Sequence, residues 1–182
     1  MELETERLLL REFLAADWPA VLAYQNDPLY LRYYAWTERT AADVCDFVQM
    51  FLDNQQERPR LKFQLAVTLK ETGNLIGSCG VRVNDPVLRE ANIGYELAPD
   101  QWGKGYATEA ACAILRFGFE SLQMHRIWAE TLAENRASAH VLEKLGMRQE
   151  AHEREEEWIK GRWHDRLLYA ILDHEWRGRA AA

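Results

Sequence analysis

The chain has 182 residues, 48% of them hydrophobic and 28% charged, with ten glycines and five prolines, so it is long enough to bury a core and too apolar to be disordered. Its formal net charge of −7 argues against a nucleic-acid partner, because phosphate binding leaves a basic stripe and the 22 Lys and Arg residues form none; a cationic partner suits this balance better. Cys45, Cys79 and Cys112 are far apart and outside CxxC spacing, and the five histidines lack ligand spacing, so buried free thiols are expected and neither a disulfide framework nor a metal site is.

The N-terminus, "MELETERLLLREF", alternates like a strand over Glu6–Glu12 and lacks the basic and continuously apolar segments of a signal peptide. No apolar run reaches membrane length, so no membrane partner and a cytoplasmic location are expected. A helix follows over Ala15–Gln25. A second spans Ala41–Gln55, where Val44, Phe47, Val48, Phe51 and Leu52 recur at helical spacing behind Thr40 as N-cap. Strands are predicted at Lys62–Lys70, Asn74–Val83 and Ala91–Ala98, with "ETGN" turning between the first two.

The loop "DQWGKGYATEA" then leads into a helix running to about Leu122, with Ala107, Ala110, Ala111, Ile114, Leu115 and Gly118 on one face. A strand "RIWAETL", a helix over Arg136–Leu145 stopped by Gly146, and a long hairpin pair around "IKGRW" complete the order βααβββαβαββ. This is an α/β mixed sheet with helices on its faces, expected as one domain over 1–182 with a frayed tail "RGRAAA". The run "EAHEREEEW" reads as a solvated acidic face, and Trp18, Trp128 and Trp176 read as core.

Glycines ahead of a helix make either a plain turn or an anion cradle, since the helix start presents unpaired N–H groups that a Cβ would shield. Two phosphate loops are excluded: the P-loop needs GxxxxGK[ST], and GxGxxG would need glycine at Thr108. What separates the two readings is company, because "NIGYELAPDQWGKGYATEA" is followed one helix and one strand later by "ENRASAHVLEKLGM".

In these motifs, and from "TERLLLREF" to "WIKGRWHDRLLYAILDHEW", the chain resembles the GNAT superfamily of acetyl-CoA-dependent N-acetyltransferases, in the branch of the RimJ- and RimL-type ribosomal-protein alanine N-acetyltransferases. The resemblance implies a mostly antiparallel sheet with a splayed central strand pair, ending at Leu97 and Ala98, where pantetheine pairs with exposed backbone. It implies that the loop holds the pyrophosphate of CoA through main-chain N–H groups. The family pattern falls on Trp102, Gly105 and Ala107, with Trp102 standing where Gln or Arg is expected, and Gly103, Lys104 and Tyr106 between. Asn135 is both a helix N-cap and a match to a CoA-contacting Asn.

Ser138 matches a small or hydroxyl position of the Rim-type members. Leu142 stands where many relatives carry a tyrosine acid, which leaves Ser138 or water as donor to the leaving thiolate. The aromatics of "YYAW", Tyr33, Tyr34 and Trp36, fall where the family builds its acceptor pocket. A homodimer is left open, and no metal is needed.

No nucleophile is suitably placed for an acyl-enzyme, so direct transfer to a primary amine is expected, either a protein N-terminus or a small molecule. Two carboxylates are candidate bases: Glu96, on the same strand face as Gly94, and Glu157, which by the resemblance matches an acidic Rim-type position. A non-catalytic acetyl-CoA-binding sensor or scaffold, and a structural protein with an accidental GxG turn, are the rival readings. The sensor reading gains if neither carboxylate faces the pocket.

Overall fold

The computed structural model describes residues 1–180, with side chains to Gly178. Eight strands form one sheet in the order β1-β2-β3-β4-β5-β6-β8-β7. The strands are β1 (Glu2–Glu4), β2 (Leu8–Glu12), β3 (Lys62–Leu69), β4 (Leu75–Asp85), β5 (Glu90–Leu97), β6 (Arg126–Leu132), β7 (Arg148–Ile159) and β8 (Arg162–Leu172). Every neighbouring pair is antiparallel except β5 and β6.

Alternation along β3 divides the core in two. Leu65 and Val67 join the cluster beneath α4 (Tyr106–Arg116), while Ala66 between them joins the cluster beneath α1 (Trp18–Gln25), α2 (Pro28–Leu31) and α3 (Ala41–Gln56). The face of α4 predicted to be apolar is the one it buries, through Ala110, Ala111, Ile114 and Leu115. At the start of α3 the Thr40 hydroxyl accepts from the Asp43 N–H at 3.2 Å, and the Asp43 carboxylate accepts from the Thr40 N–H at 2.8 Å, a reciprocal cap that fixes where the helix begins. Helix α5 (Arg136–Lys144) ends at Gly146, whose φ of 75° only glycine adopts readily.

Five sequence expectations need correction. The first strand region is two strands, because Thr5 turns the chain and its hydroxyl caps the turn at Leu8. The short α2 lies inside what reads as a loop; four residues are too few for a periodic signal, and Asp27 starts it by accepting from the Leu29 N–H at 2.8 Å. Helix α4 gives way at Phe117–Ser121 to a π-helical turn, in which the Leu122 N–H reaches the Phe117 carbonyl where Gly118 packs on Ile127. The presumed frayed tail is largely helix α6 (Asp173–Ala180), held by Trp176 stacked on Phe119 at 5.7 Å, and its last two residues lie outside the described residues. Of the thiols, Cys79 is buried and Cys112 half-buried, but Cys45 is exposed because it lies on the outer side of α3, beside buried Val44.

The outermost strand, β7, is the longest in the sheet, and its register with β8 shifts between Gln149 and Ala151 and again between Glu153 and Glu157. Packing in the middle of the sheet is tight. A Cβ at Gly80 would lie 2.4 Å from the Phe63 carbonyl oxygen and 2.8 Å from the Gln64 Cα, backbone atoms that cannot move aside cheaply. Gly80→Ala should therefore destabilise the fold by about 1–3 kcal/mol, read as a lower denaturant midpoint; an unchanged midpoint would mean that β3 and β4 separate freely there.

Candidate active site

Strands β5 and β6 pair only over Glu90–Asn92 with Arg126–Trp128, and beyond that they diverge. Into the opening comes a cavity of about 290 Å³, close to the lower end of small-molecule sites. Its walls are the end of β5, the loop and first turn of α4, the first turns of α5 and the aromatic segment after α2.

The loop is shaped for an anion. Gly103 and Gly105 have φ of 75° and 83°, and Gly105 is the N-cap of α4 with no side chain supplying a cap. The first N–H groups of α4 therefore lack internal partners at the positive end of the helix. A Cβ at Gly103 would meet nothing within 4 Å, and one at Gly105 would meet only the Arg7 guanidinium, at 3.3 Å. Trp102 anchors the loop, its indole N–H donating to the Leu97 carbonyl at 2.8 Å. A family pattern of Gln or Arg is thus replaced here by a side chain that ties the loop to β5.

The Ala98 N–H donates to Ile76 of β4, so alternation turns the N–H of Leu97 to the open side of the splay. Glu96, half-buried, takes its side chain to the face covered by α1 and α2. It accepts from the Tyr24 hydroxyl at 2.6 Å, from the Tyr30 hydroxyl, from Gln25 Nε2 at 3.3 Å and from Ser78 Oγ at 3.2 Å. Burial, and then the charge of Glu96, push both phenols well above their ordinary range, so they stay protonated donors at any working pH. Among the described residues no Lys, Arg or His forms an ion pair with Glu96. Its hydrogen bonds all come from neutral donors, and the half-buried Arg82 guanidinium acts on it electrostatically without forming an ion pair.

From Glu96 an aromatic wall runs outward, with Tyr30 stacked on Tyr34 at 4.5 Å and Tyr34 on Trp36 at 4.6 Å. Arg32 lies over Tyr33 at 4.5 Å and reaches toward Trp102 at 5.9 Å. On the far side, Asn135 Oδ1 accepts from the Ser138 N–H at 3.2 Å, which caps α5 and presents Ser138 to the cavity.

Of the residues singled out from sequence, the cavity brings together Tyr33, Tyr34, Glu96, Leu97, Trp102, Gly103, Gly105, Tyr106, Ala107, Asn135 and Ser138. Four stand apart from its lining. Lys104 turns its ammonium to Gln101 at 3.1 Å, Ala98 packs under the α1 side, and Trp36 backs Tyr34 from behind. Glu157 lies on β7, where its carboxylate accepts from Arg166 at 3.0 Å. Sequence reasoning missed Tyr95, Tyr30 and Arg32. The alternation that put Glu96 on one face of β5 put Tyr95 on the other, and that signal was available.

A family model described as an acetyltransferase (GNAT) domain matches residues 7–148. The N-acetyltransferase p20 of Bacillus licheniformis is 36% identical over 177 residues, 97% of this chain and 98% of that protein. The spermidine N(1)-acetyltransferase of Vibrio cholerae is 31% identical over 174 residues, 96% and 98% of the two chains. The crystal structure of a GNAT-family acetyltransferase from Bacillus anthracis superposes with a TM-score of 0.84 at 32% identity, over 96% of this chain and 100% of that one. Fold and matches together define an acyltransferase. The chain belongs to the GNAT family of acetyltransferases and is an N-acetyltransferase.

Among the described residues no group of three His, Cys, Asp or Glu could hold a metal ion, and no helix is long and apolar enough to cross a membrane.

Proposed function

We propose that this N-acetyltransferase, one domain over 1–182, takes acetyl-CoA as donor and a cationic primary amine as acceptor, and transfers the acetyl group directly. One observation carries the reading: a single cavity in the splay joins an uncapped, glycine-led helix start to a carboxylate whose hydrogen bonds come from neutral donors. The first N–H groups of α4 and its loop suit the pyrophosphate, and the N–H of Leu97 suits the thioester oxygen. Glu96 takes the proton that the ammonium must lose before attack, directly or through water. Glu157, paired to Arg166 and outside the lining, is the weaker candidate.

The acceptor enters past the aromatic segment, where Tyr30 and Tyr34, stacked on each other and backed by Trp36, line the way to Glu96. A polyamine, like the substrate in the name of the Vibrio cholerae relative, and a protein N-terminus both fit this description. The test is a screen of small amines and peptide N-termini with acetyl-CoA, read by mass for the gain of one acetyl group. Transfer to any of them supports the reading; CoA binding with no transfer favours the sensor alternative. Tyr34→Ala, which removes the ring that Tyr30 stacks on beside Glu96, should raise the acceptor KM about tenfold and leave that of acetyl-CoA within about twofold. Equal loss for both substrates would make Tyr34 a support of the whole cavity.

A further inference from the structure

A thioester can be cleaved only if charge developing on the departing sulfur is met. The established activity assigns no group to that task, and the sequence offered Ser138 or water. The cavity contains a second hydroxyl at the same spot. Tyr95, half-buried on β5, places its hydroxyl 2.9 Å from Ser138 Oγ and donates to the Ser138 carbonyl at 3.1 Å. Leu142, one turn further along α5, is buried and offers nothing polar.

We infer that Tyr95 is the hydrogen-bond donor to the leaving thiolate of CoA, with Ser138 as the positioning residue that aims its hydroxyl. The inference rests on the acetyl-CoA reading given above. Its geometry follows from strand alternation. Leu97 offers an N–H at the open edge, Glu96 projects to one face of β5, and Tyr95 to the other. An acetyl carbonyl held at Leu97 would then have the attacking amine on the Glu96 side and the departing sulfur on the Tyr95 side.

The chemistry balances. The amine nitrogen forms its bond to the acetyl carbon, the carbon–sulfur bond breaks with its electron pair on sulfur, and the proton lost by the ammonium passes by way of Glu96 to solvent. Sulfur leaves as a thiolate hydrogen-bonded to the Tyr95 hydroxyl and is protonated as CoA departs. The phenol is held protonated by burial, and with the Ser138 hydroxyl donating to its oxygen its one proton turns from the Ser138 carbonyl to the sulfur through the neutral and mildly alkaline range.

The test needs no acceptor. A thiol titrates near about 8.5, so a donor that favours the thiolate makes CoA bind more tightly as the pH rises through that value, and desulfo-CoA, which has no sulfur, shows no such rise. The protein should show a rise of about tenfold in CoA affinity relative to desulfo-CoA between about pH 7 and pH 10, a change of the size expected for one hydrogen bond to an anion, and Tyr95→Phe should abolish it. Ser138→Ala should lose part of the rise, because without the Ser138 hydroxyl donating to the phenol oxygen the phenol keeps its one proton on the Ser138 carbonyl. With any amine found to be acetylated, Tyr95→Phe should lower kcat at least about tenfold at unchanged acetyl-CoA KM. An identical pH dependence in Tyr95→Phe, with desulfo-CoA bound equally by both proteins, overturns the assignment and leaves the acetyl-CoA reading standing. Failure of the unaltered protein to bind either compound overturns both.

Discussion

Glu96→Gln should lower kcat by about 10²–10⁴-fold while leaving acetyl-CoA affinity within about twofold, because a positioned general base contributes on that scale and the walls proposed for the cofactor are formed by other residues. The substitution is close to isosteric. Its amide oxygen can still accept from Tyr24 or Tyr30, so the surrounding hydrogen bonds survive in part and a collapse of the site is not the expected cause of the loss. The pH profile makes the test specific. If the carboxylate is the base, the Gln variant loses the acid limb of the profile, and what remains follows the acceptor amine alone, about 8 for an α-amino group and about 10.4 for a lysine-like amine. A Gln variant with the parent rate and profile would remove the carboxylate mechanism and leave water as the proton acceptor. Glu157→Gln, which alters a group on β7 already paired with Arg166, serves as the matched control and should be silent.

Gly105→Asp should weaken CoA binding by about a hundredfold or more without unfolding the protein. Aspartate is among the few residues that tolerate the left-handed backbone held at φ 83°, and the space in front of this residue is open apart from Arg7. The damage is therefore electrostatic: a carboxylate would stand at the helix start, where a phosphate gains from the unpaired N–H groups. Arg7 is already engaged by Glu109 at 2.6 Å, so it offsets little of the added charge. Gly105→Asn, with the same backbone tolerance and no charge, should lose far less, and isothermal titration of the pair separates charge from shape. Equal affinity of the Asp variant and the parent would show that no anion sits at this loop.

Most of the framework was legible because it rests on periodicity. The strand Arg126–Leu132 and the face of α4 follow from spacing alone, and the end of α5 from one glycine. The site was legible where backbone chemistry carries it, as at Gly103, Gly105 and the Asn135 cap. It was obscure where function depends on side chains meeting across the sheet. Nothing near residue 96 in the sequence announces Tyr24 and Tyr30, more than sixty residues away, as the donors to Glu96. The short α2, which brings Tyr30 there, has too few residues to show a period. That Glu157 stands apart from the cavity lining was hidden for the converse reason: a family position and an acidic context say little about where a strand whose register slips twice will place a side chain.

That slipping strand has a consequence beyond the site. β7 is the last strand of the sheet, twelve residues long, and an exposed edge of that length is an invitation for another chain to add itself and begin an aggregate. Its two irregularities interrupt the flat ladder such a visitor would need, and in the second of them Glu153, Glu155, Glu156 and Glu157 outnumber Arg154 and the Arg166 of β8. Any second chain presenting a similar strand would meet repulsion before it found hydrogen bonds. The solvated acidic run thus also makes this edge a poor template for a second copy of the chain.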